Sequence, residues 1–435
     1  MGCGDDASSV SENPRFLSAA LQRKPSLLYL TCHLPFPQYS GGRRRDYELL
    51  VRLSKEFTIT LCVLSKTFDE DMSNRPAVAD LCSHVEVFPV LPGDSRHGPM
   101  ALGKEARHRS PQASRWVDEL VRSGGIDTIH VEGYYLLQHV PEPCPPPVLL
   151  VEQNVEFRLL RLEAMTAADQ SRRLPLVNLL RETRRDELMA WRRSSLCGAV
   201  SEEDRMLMRR VLPGLDVRLT PDGADHLDRE RGAKMASIPG TLTGSSIAFI
   251  ANFGYAPNVD AAFYLCQQIF PTIRAKVPSI HLLLVGNAPP AHLVTLARRT
   301  EGVTLVGRVP SVAPYLDMAD VIVVPLRIGG GVKVKMLEAL RWGKAVVTTS
   351  IGVQGINEKG RECVVIRDRP DDFAPAVVSL LGSPARRRSL EQAATRFARN
   401  LPTWDEAAAR VAECLSELLG FPMPPRRVPV ASAVT

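Results

Sequence analysis

The sequence predicts an α/β protein made of two doubly wound domains with parallel sheets. Three observations carry this. Short β-branched runs recur along the chain, most are separated by enough residues for a helix, and they fall into two sets of about six. Between the sets lies a glycine-rich stretch with little periodicity, where one domain ends and the next begins.

Taken in order, residues 1–24 are rich in Ser and Asp, lack the apolar stretch of a signal peptide, and read as a disordered segment. Met1-Gly2-Cys3 opens like a myristoylation site, but Asp6 stands where Ser or Thr is needed. The N-terminal domain, 25–225, carries strand-like runs at 27–31, 57–64, 85–90, 126–131, 148–151 and 197–200. Within it, 171–193 reads as an Arg-rich amphipathic helix. A solvated charged face is favoured there over contact with anionic lipid. The boundary at 222–246 holds Gly223, Gly232, Pro239, Gly240 and Gly244, with a linker over 226–245. The C-terminal domain, 246–402, carries runs at 247–251, 280–286, 303–307, 321–325, 345–349 and 363–366. Between its first two runs, Ala262, Leu265, Cys266, Ile269, Phe270 and Ile273 recur at three- and four-residue steps, so one helix face packs on a sheet. A last helix covers 403–420, and the proline-containing tail 421–435 reads as disordered.

Composition narrows the function classes. The chain has 435 residues, 45% hydrophobic and 23% charged, with a net charge of +6. That balance suits a large buried core and anionic ligands such as nucleotide diphosphates. No dense basic or aromatic patch points to nucleic acid. Nine cysteines without a C-x-x-C pair read as buried thiols of a reducing compartment. No window approaches the ~18 apolar residues of a membrane span, so the expected location is cytoplasmic, with peripheral contact at the inner face of a membrane left open.

The most informative stretch runs from Pro325 to Gly343. Gly329, Gly330 and Gly331 follow a strand, and a helix start carries Lys333, Lys335 and Glu338. Glycines at a strand end let backbone approach a ligand, and the free amides of a helix start attract phosphate. Cations there oppose the helix dipole and so call for an anionic partner. A carboxylate one turn deeper can accept two hydroxyl hydrogen bonds, as from a ribose. The competing reading is a tight turn and an ordinary capped helix, less suited to three glycines, two lysines and a glutamate in one loop.

This stretch, with Gly343-Lys-Ala-Val-Val-Thr-Thr, resembles the donor signature of family-4 retaining glycosyltransferases of the GT-B fold, in a bacterial subgroup with a Gly-Gly-Gly loop. The segments Asn258-Val-Asp260, Leu284-Val-Gly286, Ser350-Ile-Gly-Val-Gln-Gly355, Glu152-Gln-Asn-Val-Glu-Phe-Arg158 and the loop ending in Ser40-Gly41-Gly42 are also similar. The resemblance implies two facing Rossmann-like domains and a nucleoside-diphosphate sugar as donor substrate. It implies transfer with retention, no cofactor and no catalytic metal; no Asp-x-Asp triad of the metal-binding kind stands at a strand end. The implied donor contacts are Gly286, Gly329, Gly330, Gly331, Val332, Lys333, Lys335, Glu338, Asn252 and Arg327. Ser40, Gly41 and Gly42 form the acceptor-side loop, and the last helix crosses back to the N-terminal domain. The acceptor is a glycan, a lipid carrier or a small natural product.

The sequence departs from the family at several positions. Gly330 stands where a Glu is frequent, and Asn252 and Pro257 replace an Arg and a Lys. Val332 and Lys333 stand for Thr and Arg, and Asp222 for an Asn. In the N-terminal domain, Glu132 takes the place of a His that contacts the donor sugar, and His130 shares its strand face. With Lys335 they form the expected catalytic set, although His130 reads equally as a core histidine. Arg43, Arg44 and Arg45 read mostly as a solvated basic turn. The rival from another class is a non-catalytic nucleotide-sugar-binding or scaffold protein of the same fold. An epimerase or phosphorylase on the same architecture is the rival within enzymes.

Overall fold

The computed structural model describes residues 23–91, 103–166, 170–231 and 244–420. The expected disordered segment (apart from Arg23 and Lys24), linker residues 232–243 and the tail 421–435 lie outside the described residues.

The first sheet has seven strands: β1 (Ser26–Thr31), β2 (Thr58–Ser65), β3 (His84–Pro89), β4 (Thr128–Glu132), β5 (Val148–Glu152), β6 (Leu196–Ala199) and β7 (Val217–Leu219). Their order is β3-β2-β1-β4-β5-β6-β7, parallel throughout. The second sheet has six: β8 (Ser246–Ile250), β9 (His281–Val285), β10 (Val303–Gly307), β11 (Val321–Val324), β12 (Val346–Thr348) and β13 (Val365–Ile366). Its order is β10-β9-β8-β11-β12-β13, again parallel. Central strands such as β1, β4, β5, β8 and β11 are buried almost end to end, which is why they read as continuous apolar runs. In each sheet the order reverses beside the first strand, between β1 and β4 and between β8 and β11. Loops diverge at such a point and leave a crevice at the strands' carboxyl ends.

Two elements differ from the sequence reading. Strand β7 is a three-residue edge strand with one buried side chain, too short to stand out. The periodic helix over 262–273 is longer and interrupted: Ala256–Tyr264, a π-helical turn Leu265–Ile269, then Phe270–Lys276. Pro271 has no amide to close the preceding α-helical turn, and the wider turn absorbs the mismatch.

The last helix, Trp404–Leu418, begins with a capping box: Glu406 N donates to Thr403 Oγ1 at 3.2 Å and Thr403 N to Glu406 Oε2 at 2.8 Å. Its Ala408, Val411, Ala412, Cys414 and Leu415 join Leu49, Leu50 and Leu53 of the helix Gly41–Leu53 in one core. The chain therefore returns from the second domain to pack on the first. The Arg-rich helix Gln170–Arg193 buries Leu179, Thr183, Glu187, Ala190 and Trp191 and leaves Leu174 and Met189 exposed. The eight described cysteines are free. No described helix is long and apolar enough to cross a membrane.

Candidate active site

The carboxyl ends of both sheets face a common cavity of about 310 Å³. Ser40, Gly41, Gly42, Arg44, Gln153 and Asn154 line it from the first domain. Gly286, Gly329, Gly330, Val332, Lys333, Lys335 and Glu338 line it from the second.

On the C-terminal wall, β11 ends at Val324 and the glycine loop leads to the helix Val334–Arg341. Lys333 is the N-cap and its side chain does not cap the helix, which leaves the leading amides open to an anion. The Lys333 ammonium donates to Gly331 O at 2.9 Å and Gln354 Oε1 at 3.1 Å, so it also braces the loop. Burial pushes it down to about 7, against the pull of Asp204 and Glu203. Lys335 Nζ donates to Asn258 Oδ1 at 2.6 Å and sits 5.2 Å above the Phe249 ring. Burial, aided by repulsion from Lys333, pushes Lys335 to about 7 as well. Glu338 Oε1 lies 2.9 Å from His226 Nε2. Burial opposes the Glu338 charge, but the His226 hydrogen bond, with Arg44 and Lys335, holds its carboxyl below the usual range. A diphosphate in this cavity would meet two lysine side chains whose amines can take up protons, free amides, and a carboxylate suited to hydroxyls.

The glycines bring the walls together. A Cβ on Gly331, where φ is 60°, would lie 2.3 Å from the Gln153 carbonyl oxygen. One on Gly330 would lie 3.2 Å from Asn154 Oδ1, and one on Gly41 3.0 Å from Val334 Cγ2. Gly331 thus stands at the domain contact and not on the cavity wall. Gly286 answers to the strand ends, since its Cβ would fall 1.7 Å from Ala251 O.

The N-terminal wall rests on a buried ionic network. Arg45, 1% exposed, places Nε 3.3 Å from Glu132 Oε1 and Nη1 2.8 Å from Asp222 Oδ1. Glu132 also meets His130 Nε2 at 2.8 Å, Tyr29 OH at 3.1 Å and Gln153 Nε2 at 2.9 Å. Burial alone would raise the Glu132 carboxyl, but Arg45, His130 and Gln153 hold it well below its ordinary value.

Several expectations are corrected here. His130 and Glu132 are 0% and 2% exposed and do not line the cavity; they lie under its floor, where Glu132 holds Arg45 and Gln153. Arg327 turns outward to pair with Asp260 and cover the Tyr264 ring at 4.5 Å, because that carboxylate and ring are within its reach. Asn252 closes a local turn by accepting from Gly254 N at 3.0 Å, and it does not line the cavity. Arg43 and Arg45 are buried, not solvated: Arg43 pairs with Asp71 at 2.9 Å. Asp222, the departure at the domain crossing, supplies the charge that Arg45 needs.

Arg44, Arg308, Gln153, Asn154 and His226 were missed as site residues. Arg44 and Arg308 line the cavity and bring cations that Asn252 and Pro257 do not. Gln153 and Asn154 directly follow β5, and the carboxyl end of a central strand was the available signal. Nothing local marks His226. Among the described residues, no group of three or more His, Cys, Asp or Glu side chains is placed to hold a metal ion.

Two parallel α/β domains face each other across a cleft, and a terminal helix returns to the first. The fold is GT-B. The chain superposes on sucrose-phosphate synthase from Thermosynechococcus elongatus with a TM-score of 0.65 at 16% identity, covering 91% of this chain and 99% of that one. WaaG, a glycosyltransferase involved in lipopolysaccharide biosynthesis, gives 0.61 at 12%, covering 91% and 100%. Anabaena HepE in complex with UDP and glucose gives 0.60 at 13%, covering 90% and 99%. Within this GT-B chain, residues 244–383 match the family described as Glycosyl transferases group 1, so the recognised domain holds the glycine loop, both lysines and Glu338. No curated protein matches the chain in sequence.

Proposed function

We propose that the protein transfers a glycosyl unit, with retention, from a nucleoside-diphosphate sugar held on the C-terminal domain to an acceptor hydroxyl presented by the N-terminal domain. The observation that carries this reading is the placement of Lys335 and Glu338 in a two-domain cleft, within a domain that matches Glycosyl transferases group 1. Lys335, with the amides that follow Lys333, neutralises the diphosphate as charge builds on it in the transition state. Glu338 receives the ribose hydroxyls. The UDP and glucose of HepE support a nucleotide-sugar donor. Ser40, Gly41, Gly42, Gln153 and Asn154 form the acceptor side, and closure of the cleft keeps water from the donor. The reaction needs no cofactor or divalent metal in this reading, and it takes place on the cytoplasmic side.

The test is release of nucleoside diphosphate from a panel of nucleotide sugars, with and without glycan, lipid-carrier and small-molecule acceptors, followed by the anomeric configuration of the product. Activity is expected to survive EDTA. Loss in EDTA that magnesium or manganese restores refutes metal independence, and an inverted product refutes retention. Gly330, lacking the carboxylate frequent in the family, favours a second reading in which the protein binds nucleotide sugar without transferring it. Tight donor binding with no turnover on any acceptor would establish that reading.

A further inference from the structure

We propose that His226 is a positioning residue for the donor site, which fixes the Glu338 carboxylate for the ribose and ties it to the segment where the chain crosses between domains. The proposal rests on the reading of Glu338 given above.

His226 lies outside the glycine loop, 112 positions from Glu338 in sequence, and its side chain is 1% exposed. Its two ring nitrogens have different partners. Nδ1 lies 3.2 Å from Trp404 Nε1, and Nε2 lies 2.9 Å from Glu338 Oε1. An indole N–H only donates, so Nδ1 accepts, and the proton of the neutral ring sits on Nε2, directed at the carboxylate. Trp404 therefore selects the tautomer that holds Glu338.

Trp404 is itself held firmly. It is 0% exposed, and its backbone amide donates to Asp225 Oδ1 at 2.7 Å. Gly223 packs so closely that a Cβ there would lie 2.4 Å from Trp404 N. Asp222 holds Arg45 of the helix Gly41–Leu53 at 2.8 Å. Residues 222–226 thus touch three elements: the N-terminal glycine-loop helix through Asp222, the returning helix through Asp225, and the donor helix through His226. A glutamate on a helix has rotamer freedom that a hydroxyl-binding role must remove, and a hydrogen bond to Oε1 removes it before the ligand arrives.

The experiment uses the full chain. UDP, ADP and GDP are titrated by calorimetry, and the tightest is compared with its 2′,3′-dideoxy counterpart. The wild type is expected to favour the ribose form by about tenfold or more. His226→Asn still offers an acceptor to Trp404 but stops short of Glu338. It should reduce that preference to about threefold or less, leaving dideoxy affinity unchanged. His226→Gln reaches Glu338 with an amide N–H and should keep the preference. Glu338→Ala should abolish it. If Glu338→Ala abolishes the preference while His226→Asn leaves it at the wild-type value, the proposal for His226 is overturned and the reading of Glu338 stands. An equal loss of both nucleotide forms in His226→Asn, or a loss in His226→Gln as large as in His226→Asn, also overturns it. A wild type without ribose preference, a preference that survives Glu338→Ala, or no binding of any of the three nucleotides refutes the reading of Glu338 itself.

Discussion

On the C-terminal wall of the cleft, Lys333, Lys335 and Glu338 come from one loop and the helix it enters. On the N-terminal wall, Arg45, Gln153 and Asp222 line the cavity and Glu132 lies beneath them; the four come from separate places in the chain and are joined through Glu132 and Arg45. The difference teaches where a substitution should be felt. Lys335 bonds to one asparagine, lies over the Phe249 ring and faces the cavity, so its loss removes a ligand contact and breaks no buried ion pair. Glu132 is enclosed and shared by Arg45, His130, Tyr29 and Gln153, so its loss leaves a buried guanidinium with one carboxylate in place of two.

The largest expected effect is therefore on stability, at the N-terminal wall. Glu132→Ala should destabilise the fold by about 3–5 kcal/mol, the range for breaking a buried ion pair, read as a lower urea midpoint. A variant as stable as wild type that has lost donor binding would reverse the assignment and return Glu132 to the donor.

Next is Lys335→Ala. Transfer should slow by about 10²–10³-fold, the range for removing one preorganised group that stabilises developing charge, and donor affinity should also fall. The urea midpoint should change far less than in Glu132→Ala. Wild-type rate and affinity would show that the diphosphate is held elsewhere.

A third test separates the walls by pH. Glu152, one residue before Gln153, accepts from Trp191 Nε1 at 2.9 Å and is pushed from 4.5 up to about 8, first by burial and then by Glu156. The folded state keeps a proton that the unfolded chain releases, so this group's contribution to stability falls as pH rises from about 4.5 to 8. Glu152→Gln should remove a decline of at most about 1.4 kcal/mol per pH unit across that window. An unchanged pH profile of the urea midpoint in the variant would show that Glu152 is ionised throughout.

The smallest effect belongs to the C-terminal wall. Lys333 and Lys335 sit near 7 in the open cavity, and a bound diphosphate raises both. Binding of a nucleoside diphosphate at pH 8 should take up between a fraction of a proton and about two, and affinity should fall as pH rises above 7. Calorimetry in buffers of different ionisation enthalpy measures the uptake, and Lys335→Met should remove much of it. No uptake would place the phosphates away from these lysines.

The sequence alone determined the parallel α/β architecture, because buried strands such as β1, β5 and β8 are continuous apolar runs, and apolar runs are local. It also determined the glycine-loop part of the C-terminal wall, because Gly329, Gly330, Lys333, Lys335 and Glu338 lie within one loop and helix start, where spacing maps directly onto geometry. Strand β7, with one buried residue in three, had no such signal. Only the tertiary structure decided which arginines are buried. Arg45 and Asp222 are 177 positions apart, and charge alone does not say which distant carboxylate closes on which guanidinium. It likewise decided that His130 and Glu132 lie under the floor. Strand alternation places them on one face, but what covers that face is the helix carrying Arg45 together with the returning helix. His226 belongs to the same class. Its role depends on a tryptophan 178 positions onward and a glutamate 112 positions onward, which meet only when the returning helix has docked.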